Sequence, residues 1–502
     1  MSRQATLWIL VIIAIAGVAL RSYELTARSL WFDEAFSWRL IQFSFPEMIT
    51  RAAADVHPPL YYILLRGWTY VFGTSLVALR SLSVVFAAFT IFAGYGLAAY
   101  ATRSRRAGLL AASLLAVSGW QIAFAWEARM YTLGTFLALM STWLLLRGVR
   151  KPQVLPWLGY ALVAVAFAYT HYFAFFTLAA HALFILGVLI KQTRGRVGEM
   201  LQSHLFWFAS GAAVLAVALY SPWIPVFISQ NAQVQDAYWV PAIGGWSIPD
   251  TFYRMVLPTA GIPSHTGFGI VLTVAPIILA VLLWLLLPVI RTHRNANVLL
   301  ALCGAVPFLL AIAVSFIGQS LYQDRFLVFA NIFIIIGIAC VIEYMPRRWR
   351  AWLAGAAIVI FLGGFIRYWI ELDIVNHPGA HAATEFLAQR REGDELVVVS
   401  SPFVYFAIDH YLQEQFNQPG VAKLYSETGE FSHFAGGPIL RQEDFVGPEI
   451  FQSSQRTIWL VDSNGFGGSK LAVPESWQAG AYGEFDEVFE YQAQVFVTKY
   501  RR

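Results

Sequence analysis

Long apolar stretches separated by short charged loops leave this chain of 502 residues few folds to adopt. A run of about 20 mainly apolar residues crosses a bilayer as a helix, because a helix satisfies its own backbone hydrogen bonds where no water can. Such runs lie at 5–21, 76–100, 107–125, 131–148, 155–171, 173–190, 204–222, 267–290, 297–317, 326–344 and 351–370. Charged residues make up 13% of the chain, against about 25% in soluble globular proteins. The expectation is a polytopic α-helical membrane protein with about 11 spans.

The loops are of two kinds. One holds basic clusters: Arg103, Arg105 and Arg106; Arg147, Arg150 and Lys151; Lys191, Arg194 and Arg196; Arg291 and Arg294; Arg347, Arg348 and Arg350. The other holds acids, histidines and acid–arginine pairs. Basic loops mark the cytoplasmic side, so with the N-terminus inside, the chemistry-capable residues collect on the outer face. Arg3 followed by Leu7 to Leu20 resembles a signal peptide, but no small-residue cleavage site follows, and the segment reads as an uncleaved first helix. The stretch 58–72 is apolar but short and interrupted by Arg66. A full crossing there would put the clusters at 103–106 and 347–350 outside, so a juxtamembrane or half-inserted helix is expected.

Residues 22–56 and 223–266 form long outer loops, the second rich in Trp, Pro and Gly, as suits a membrane interface. Composition shifts after Arg367, dividing the chain into a transmembrane module, 1–370, and an extracytoplasmic α/β domain, 371–502. In the latter, Glu395–Val399 and Thr457–Val461 read as buried strands, Tyr405–Phe416 as a helix, and Val488–Tyr500 as containing a last strand of a hairpin. The two cysteines, Cys303 and Cys340, lie in apolar stretches, so no disulfide framework exists. The net charge of +4 comes from the cytoplasmic arginines. No basic stripe interleaves with aromatics, which argues against nucleic acid.

A site outside the cytoplasm has no supply of ATP or nucleotide sugars, so its substrate must arrive already activated, on a lipid. Asp33-Glu34 can supply a general base beside aromatic neighbours, or be a solvated pair capping a helix. Asp55-Val-His57-Pro-Pro-Leu-Tyr61-Tyr62 places Asp55 and His57 at a Pro-initiated helix start, where an anion is favoured; the plain alternative is a helix capped by Asp55. Glu127-Ala-Arg129-Met-Tyr131 puts ions near membrane depth, where they are functional or mutually paired. His171 lies between two spans and is as readily an interface residue as a ligand. Tyr322-Gln-Asp324-Arg325 ends on a guanidinium suited to phosphate, unless Asp324 merely neutralises it. No Cys/His metal cluster and no Gly-rich phosphate loop is present. Asp33, Glu34, His57, Glu127 and His171 could surround a hard cation, but spacing does not show that they do.

Phe32-Asp33-Glu34-Ala35, Asp55-Val-His57-Pro-Pro-Leu-Tyr61-Tyr62, Glu127-Ala-Arg129-Met-Tyr131 and Asp324-Arg325-Phe-Leu327 resemble, in order, the motifs of bacterial glycosyltransferases of family 39 type. These are GT-C-fold enzymes related to protein O-mannosyltransferases and the lipid A aminoarabinose transferase. The resemblance covers roughly residues 1–370. It implies an inverting transfer in a bacterial inner membrane from a polyprenyl-phosphate-linked sugar to a hydroxyl of a glycolipid, polysaccharide or protein. It further implies Asp33 as base, Glu34 assisting, the second outer acid near Glu127, and Arg325 on the donor phosphate. Asp55, His57, Tyr61, Arg129, Tyr131, His171 and Tyr322 are the further candidates for substrate binding. No cofactor is implied, and a divalent metal is not a general requirement. The rival reading is a transporter or flippase for a lipid-linked sugar, a class that carries repeats and midplane charges; neither is seen here. A non-catalytic assembly or export protein is a third.

Overall fold

The computed structural model describes residues 2–236, 238–259, 294–487 and 492–502. Among these, eight helices are long and apolar enough to cross a membrane, and a bent pair can supply a ninth span. They are α1 (Arg3–Ser22), α5 (Leu76–Thr102), α8 (Tyr131–Arg150), α10 (Ala174–Thr193), the stretch His204–Asp236, which joins α11 (His204–Tyr220) to α12 (Ile224–Asp236), and then α14 (Arg294–Ile317), Asp324–Tyr344, which contains α15 (Val328–Tyr344), and α16 (Arg347–Leu372). The bent pair is α6 (Arg105–Val117) and α7 (Gly119–Ala125), at 58°. Ser118 makes the bend: its ψ of 112° leaves the helix, and its hydroxyl accepts from the Gln121 amide. Gly119 is needed there, since a Cβ would meet the Phe365 backbone of α16. The expected span 155–171 is the shorter apolar helix α9 (Val154–Ala168). The span expected at 267–290 lies outside the described residues.

Three shorter helices fill the segment between α1 and α5: α2 (Phe32–Ile41), α3 (Phe45–Ala54) and α4 (Leu60–Phe72). The first two replace the loop expected over 22–56. α4 has 13 residues, about 20 Å of helix, short of the about 30 Å hydrocarbon core. Arg66, which interrupts its apolar run, donates to the carbonyls of Ile41 and Phe43 and fastens α4 to the turn after α2. The loop expected from 223 begins instead as helix, running to Asp236, with a further short helix, α13 (Ser247–Arg254).

Beyond α16, residues form a small α/β domain with a six-stranded sheet, order β3-β2-β1-β4-β6-β5. Its strands are β1 (Leu396–Val399), β2 (Ala422–Tyr425), β3 (Phe445–Val446), β4 (Thr457–Gly465), β5 (Gln478–Asp486) and β6 (Gln492–Arg501). The first four pair in parallel and β6 pairs antiparallel with β4 and β5. The central β1 and β4 are the two buried strands expected, and β6 carries the last strand; residues 488–491 of that expectation lie outside the described residues. Two helices, α17 (Gly379–Arg390) and α18 (Pro402–Glu414), pack against the sheet.

This domain sits on α2. The Leu30 amide donates to the Tyr411 hydroxyl at 2.7 Å, Trp38 Nε1 to Glu414 at 3.2 Å, and the His381 amide to Ser29 Oγ at 3.2 Å. Arg39 bonds Asp444 at 2.7 Å and lies 3.5 Å from Asp409. In consequence every residue of α2 is buried except Asp33.

Candidate active site

Asp33 stands in the first turn of α2, where the helix dipole favours its anion, and keeps 22% of its side chain exposed. Its Oδ2 accepts from Arg325 at 3.1 Å and lies 3.9 Å from Arg129 Nε. Arg325 opens the 3₁₀ turn Asp324–Leu327 before α15, and its guanidinium lies over Trp239 and Trp31, 4.9 and 5.4 Å from the ring centroids. Asp324 does not neutralise that guanidinium. Its carboxylate accepts from the Arg325 backbone amide at 2.7 Å instead, leaving the fork pointed at Asp33.

Arg129 sits in the turn between α7 and α8 and binds a second chain of partners. It donates to the Asp33 carbonyl and the Tyr62 hydroxyl, each at 3.2 Å, and its Nη2 lies 3.2 Å from His57 Nε2. A guanidinium has only donors, so Nε2 must accept. The proton of the neutral imidazole is then on Nδ1, which donates to Asp55 at 2.8 Å. Asp55, His57, Arg129, Asp33 and Arg325 thus form one continuous polar chain, and all five line one cavity with Tyr131.

Other candidates from the sequence lie elsewhere. Glu34 does not reach the cavity. It is fully buried, gripped by Arg80 at 2.8 and 2.7 Å, and its Oε1 also accepts from the Ala128 amide at 2.9 Å. Its oxygens are occupied in fastening α2 to α5 and to the turn that carries Arg129. Glu127 faces a separate small chamber of about 140 Å³ that it shares with Arg28, Arg254 and Arg325, and lies 3.8 Å from Arg28. Burial pushes its carboxyl up to about 7; Arg28 pulls the other way and Glu34 adds to the rise. Tyr61 is buried against Ser83, and the Tyr322 hydroxyl bonds Thr251 at 3.0 Å. His171 is buried, accepts from the Phe173 amide, and is held well below the usual imidazole range by burial. It lines a neighbouring cavity of about 400 Å³ whose walls include Phe173, Phe175, Phe176, Phe227 and Val314. That apolar cavity and the Asp33 cavity share Val56, His57, Tyr238 and Phe326. No group of three or more His, Cys, Asp or Glu suited to a metal is present among the described residues.

Sequence reasoning missed several members of this site. Arg80 could have been found, because an arginine inside an apolar span demands a buried partner. Trp31, Tyr238 and Trp239 also line the Asp33 cavity, and the aromatic content of their loops was the only signal. Phe403, His433, Phe434 and Phe466 come from the C-terminal domain, and nothing local marks them.

The solved structures that this chain is most usefully set beside agree over nearly its whole length. The structure of ArnT from Cupriavidus metallidurans bound to undecaprenyl phosphate covers 99% of this chain and 98% of its own, with a TM-score of 0.59 at 11% identity. Its apo form matches with a TM-score of 0.60 at 13% identity over the same shares. The chain has the GT-C fold. An Archaeoglobus fulgidus oligosaccharyltransferase in its apo form matches over 92% of this chain and 70% of its own, with a TM-score of 0.50 at 12% identity. By sequence, residues 56–225 match the family described as dolichyl-phosphate-mannose-protein mannosyltransferase, a stretch that begins one residue after Asp55 and holds His57–Tyr62 and the Glu127–Tyr131 motif. No protein of curated function matches the chain by sequence.

Proposed function

We propose that this GT-C protein is an inverting glycosyltransferase that moves a sugar from a polyprenyl-phosphate donor to an acceptor hydroxyl at the extracytoplasmic face of a bacterial inner membrane. The observation that carries this reading is Asp33, an accessible carboxylate held 3.1 Å from Arg325 in a cavity also lined by Arg129. A base and two phosphate-binding forks in one cup, opening beside an apolar cavity for a lipid tail, are what such a transfer requires. That the ArnT homologue of this fold binds undecaprenyl phosphate supports the assignment of the tail and phosphate.

The steps follow from the charges. Before the donor arrives, Arg325 is occupied by Asp33. The donor phosphate competes for Arg325 and for Arg129, and in taking them it releases the lone pair of Asp33. The acceptor O–H gives its proton to Asp33 while its oxygen attacks the anomeric carbon. The C–O bond to phosphate breaks from the opposite side, and the polyprenyl phosphate leaves as an anion on the two arginines. Positioning, charge stabilisation and one proton transfer complete the reaction. Asp55 and His57 hold Arg129 in place. With the leaving charge met by two guanidinium groups, no divalent metal is required, and activity should survive chelation by EDTA.

Transfer of radiolabelled hexose from undecaprenyl phosphate by the purified full-length protein tests this. Donor binding followed by label in an acceptor fraction is the expected result. Label carried across proteoliposomes still attached to its lipid, with no transfer, would establish the flippase reading instead.

A further inference from the structure

The transmembrane module accounts for the base, the arginines and the apolar cavity, but it does not close the cup. Phe403, His433, Phe434 and Phe466 of the C-terminal domain complete the lining. They are built in rather than draped across. Phe403 packs on Phe32, the residue before Asp33, with ring centroids 4.7 Å apart, and on Phe466 at 5.4 Å. The turn His433–Ala435 ends on Gly436, whose φ of +82° favours glycine and whose missing Cβ leaves room for the rings of Phe406 and Phe32. Two residues further on, Arg51 of α3 donates to the Pro438 carbonyl at 2.6 Å.

His433 is the one polar group in this wall. Its Nε2 is buried and has no hydrogen-bond partner among the described residues. It lines the same cavity as Asp55 and His57, which places it beside the polar chain of the site. A buried nitrogen without a partner is costly unless a ligand supplies one.

We propose that the C-terminal domain is the acceptor-binding wall of the site, with His433 hydrogen-bonding a hydroxyl of a glycan acceptor whose ring packs on Phe434 and Phe466. The inference rests on the glycosyl-transfer reading above. The phosphate and lipid tail already have their partners in the transmembrane module, so the remaining wall falls to the acceptor. A pyranose offers a face of C–H bonds and a rim of hydroxyls, which matches aromatic rings with one imidazole between them. An extended peptide would instead need unpaired backbone groups along its course, and this wall offers rings.

The test uses full-length protein in nanodiscs with undecaprenyl-phosphate hexose as donor and octyl hexopyranosides as glycan probes. His433→Ala should raise the acceptor KM about 10-fold, the loss of one hydrogen bond, with kcat within about 2-fold and donor KM unchanged. His433→Gln, which keeps a donor and an acceptor, should recover most of the loss, and Phe434→Ala should also raise acceptor KM. Melting temperature on each variant separates these effects from unfolding. An unchanged acceptor KM in both His433→Ala and Phe434→Ala, or a change in donor KM alone, overturns the assignment while transfer by the parent protein still stands. Label entering a Ser/Thr peptide and no glycoside overturns the glycan class. If the parent protein neither binds undecaprenyl phosphate nor consumes donor, the transfer reading itself falls.

Discussion

At the scale of single residues, two adjacent acids have different surroundings and should fail in different ways. Asp33 is the accessible one, and Asp33→Asn removes the proton acceptor while leaving the fold. Transfer should drop about 10²–10⁴-fold with little change in melting temperature, and an initial-rate assay beside a thermal scan checks both. Glu34 and Arg80 are fully buried partners, so Arg80→Met strands a carboxylate in the interior. A loss of about 3–5 kcal/mol is expected, and pairing the change with Glu34→Gln should return much of it; chemical denaturation of the three variants decides. Glu127 gives a pH signature. Its folded carboxyl titrates near 7, above the value of an unfolded glutamate. The native state therefore holds a proton that the unfolded chain loses. That stability is complete at low pH and lost as pH rises through about 7. Glu127→Gln should flatten the fall in melting temperature between acid and neutral pH; an unchanged slope would show that the titration belongs elsewhere.

Among the elements, α2 shows where sequence reasoning stops. Spans such as α5, α8 and α10 were legible because lipid imposes length and apolarity on each one separately. The motif residues Asp55, His57, Arg129 and Arg325 were legible because they are ionisable groups at helix ends beside long apolar runs. α2 was not, since it is buried on every side and so has no apolar stripe against a polar one. β5 escaped for the opposite reason: it is an edge strand of exposed residues with almost no apolar alternation. What covers α2 is the C-terminal domain, through Arg39 on Asp444 and Asp409. Burial raises the Asp409 carboxyl to about 6, against the pull of Arg39. Arg39→Leu should leave both acids facing apolar packing and cost about 3–5 kcal/mol. Cleavage of the C-terminal domain by added protease, faster than in the parent protein, is the readout.

For the whole molecule, the order of helices and the charge of their ends set the side expected for each loop. The short connections alternate, so the basic ends and the Asp33 cavity belong to opposite ends of the bundle. The expected arrangement has Arg106 inside and Glu430 outside. Cys303 and Cys340 are buried, so Arg106→Cys and Glu430→Cys can each be introduced without removing them. An impermeant maleimide on intact cells should label the second and spare the first; the reverse pattern would invert the protein. Two long-range pairings also set a timetable for biosynthesis. Glu34 precedes Arg80 by 46 positions, so the carboxylate is already made when the arginine-bearing helix enters the membrane, and that cation never needs to wait. Arg39 precedes Asp444 by 405 positions. At about 5–20 residues per second, it waits roughly 20–80 s for its partner. Through that interval the nascent chain has its membrane helices but a cavity open on one side, which Phe403, His433, Phe434 and Phe466 complete only once they are made.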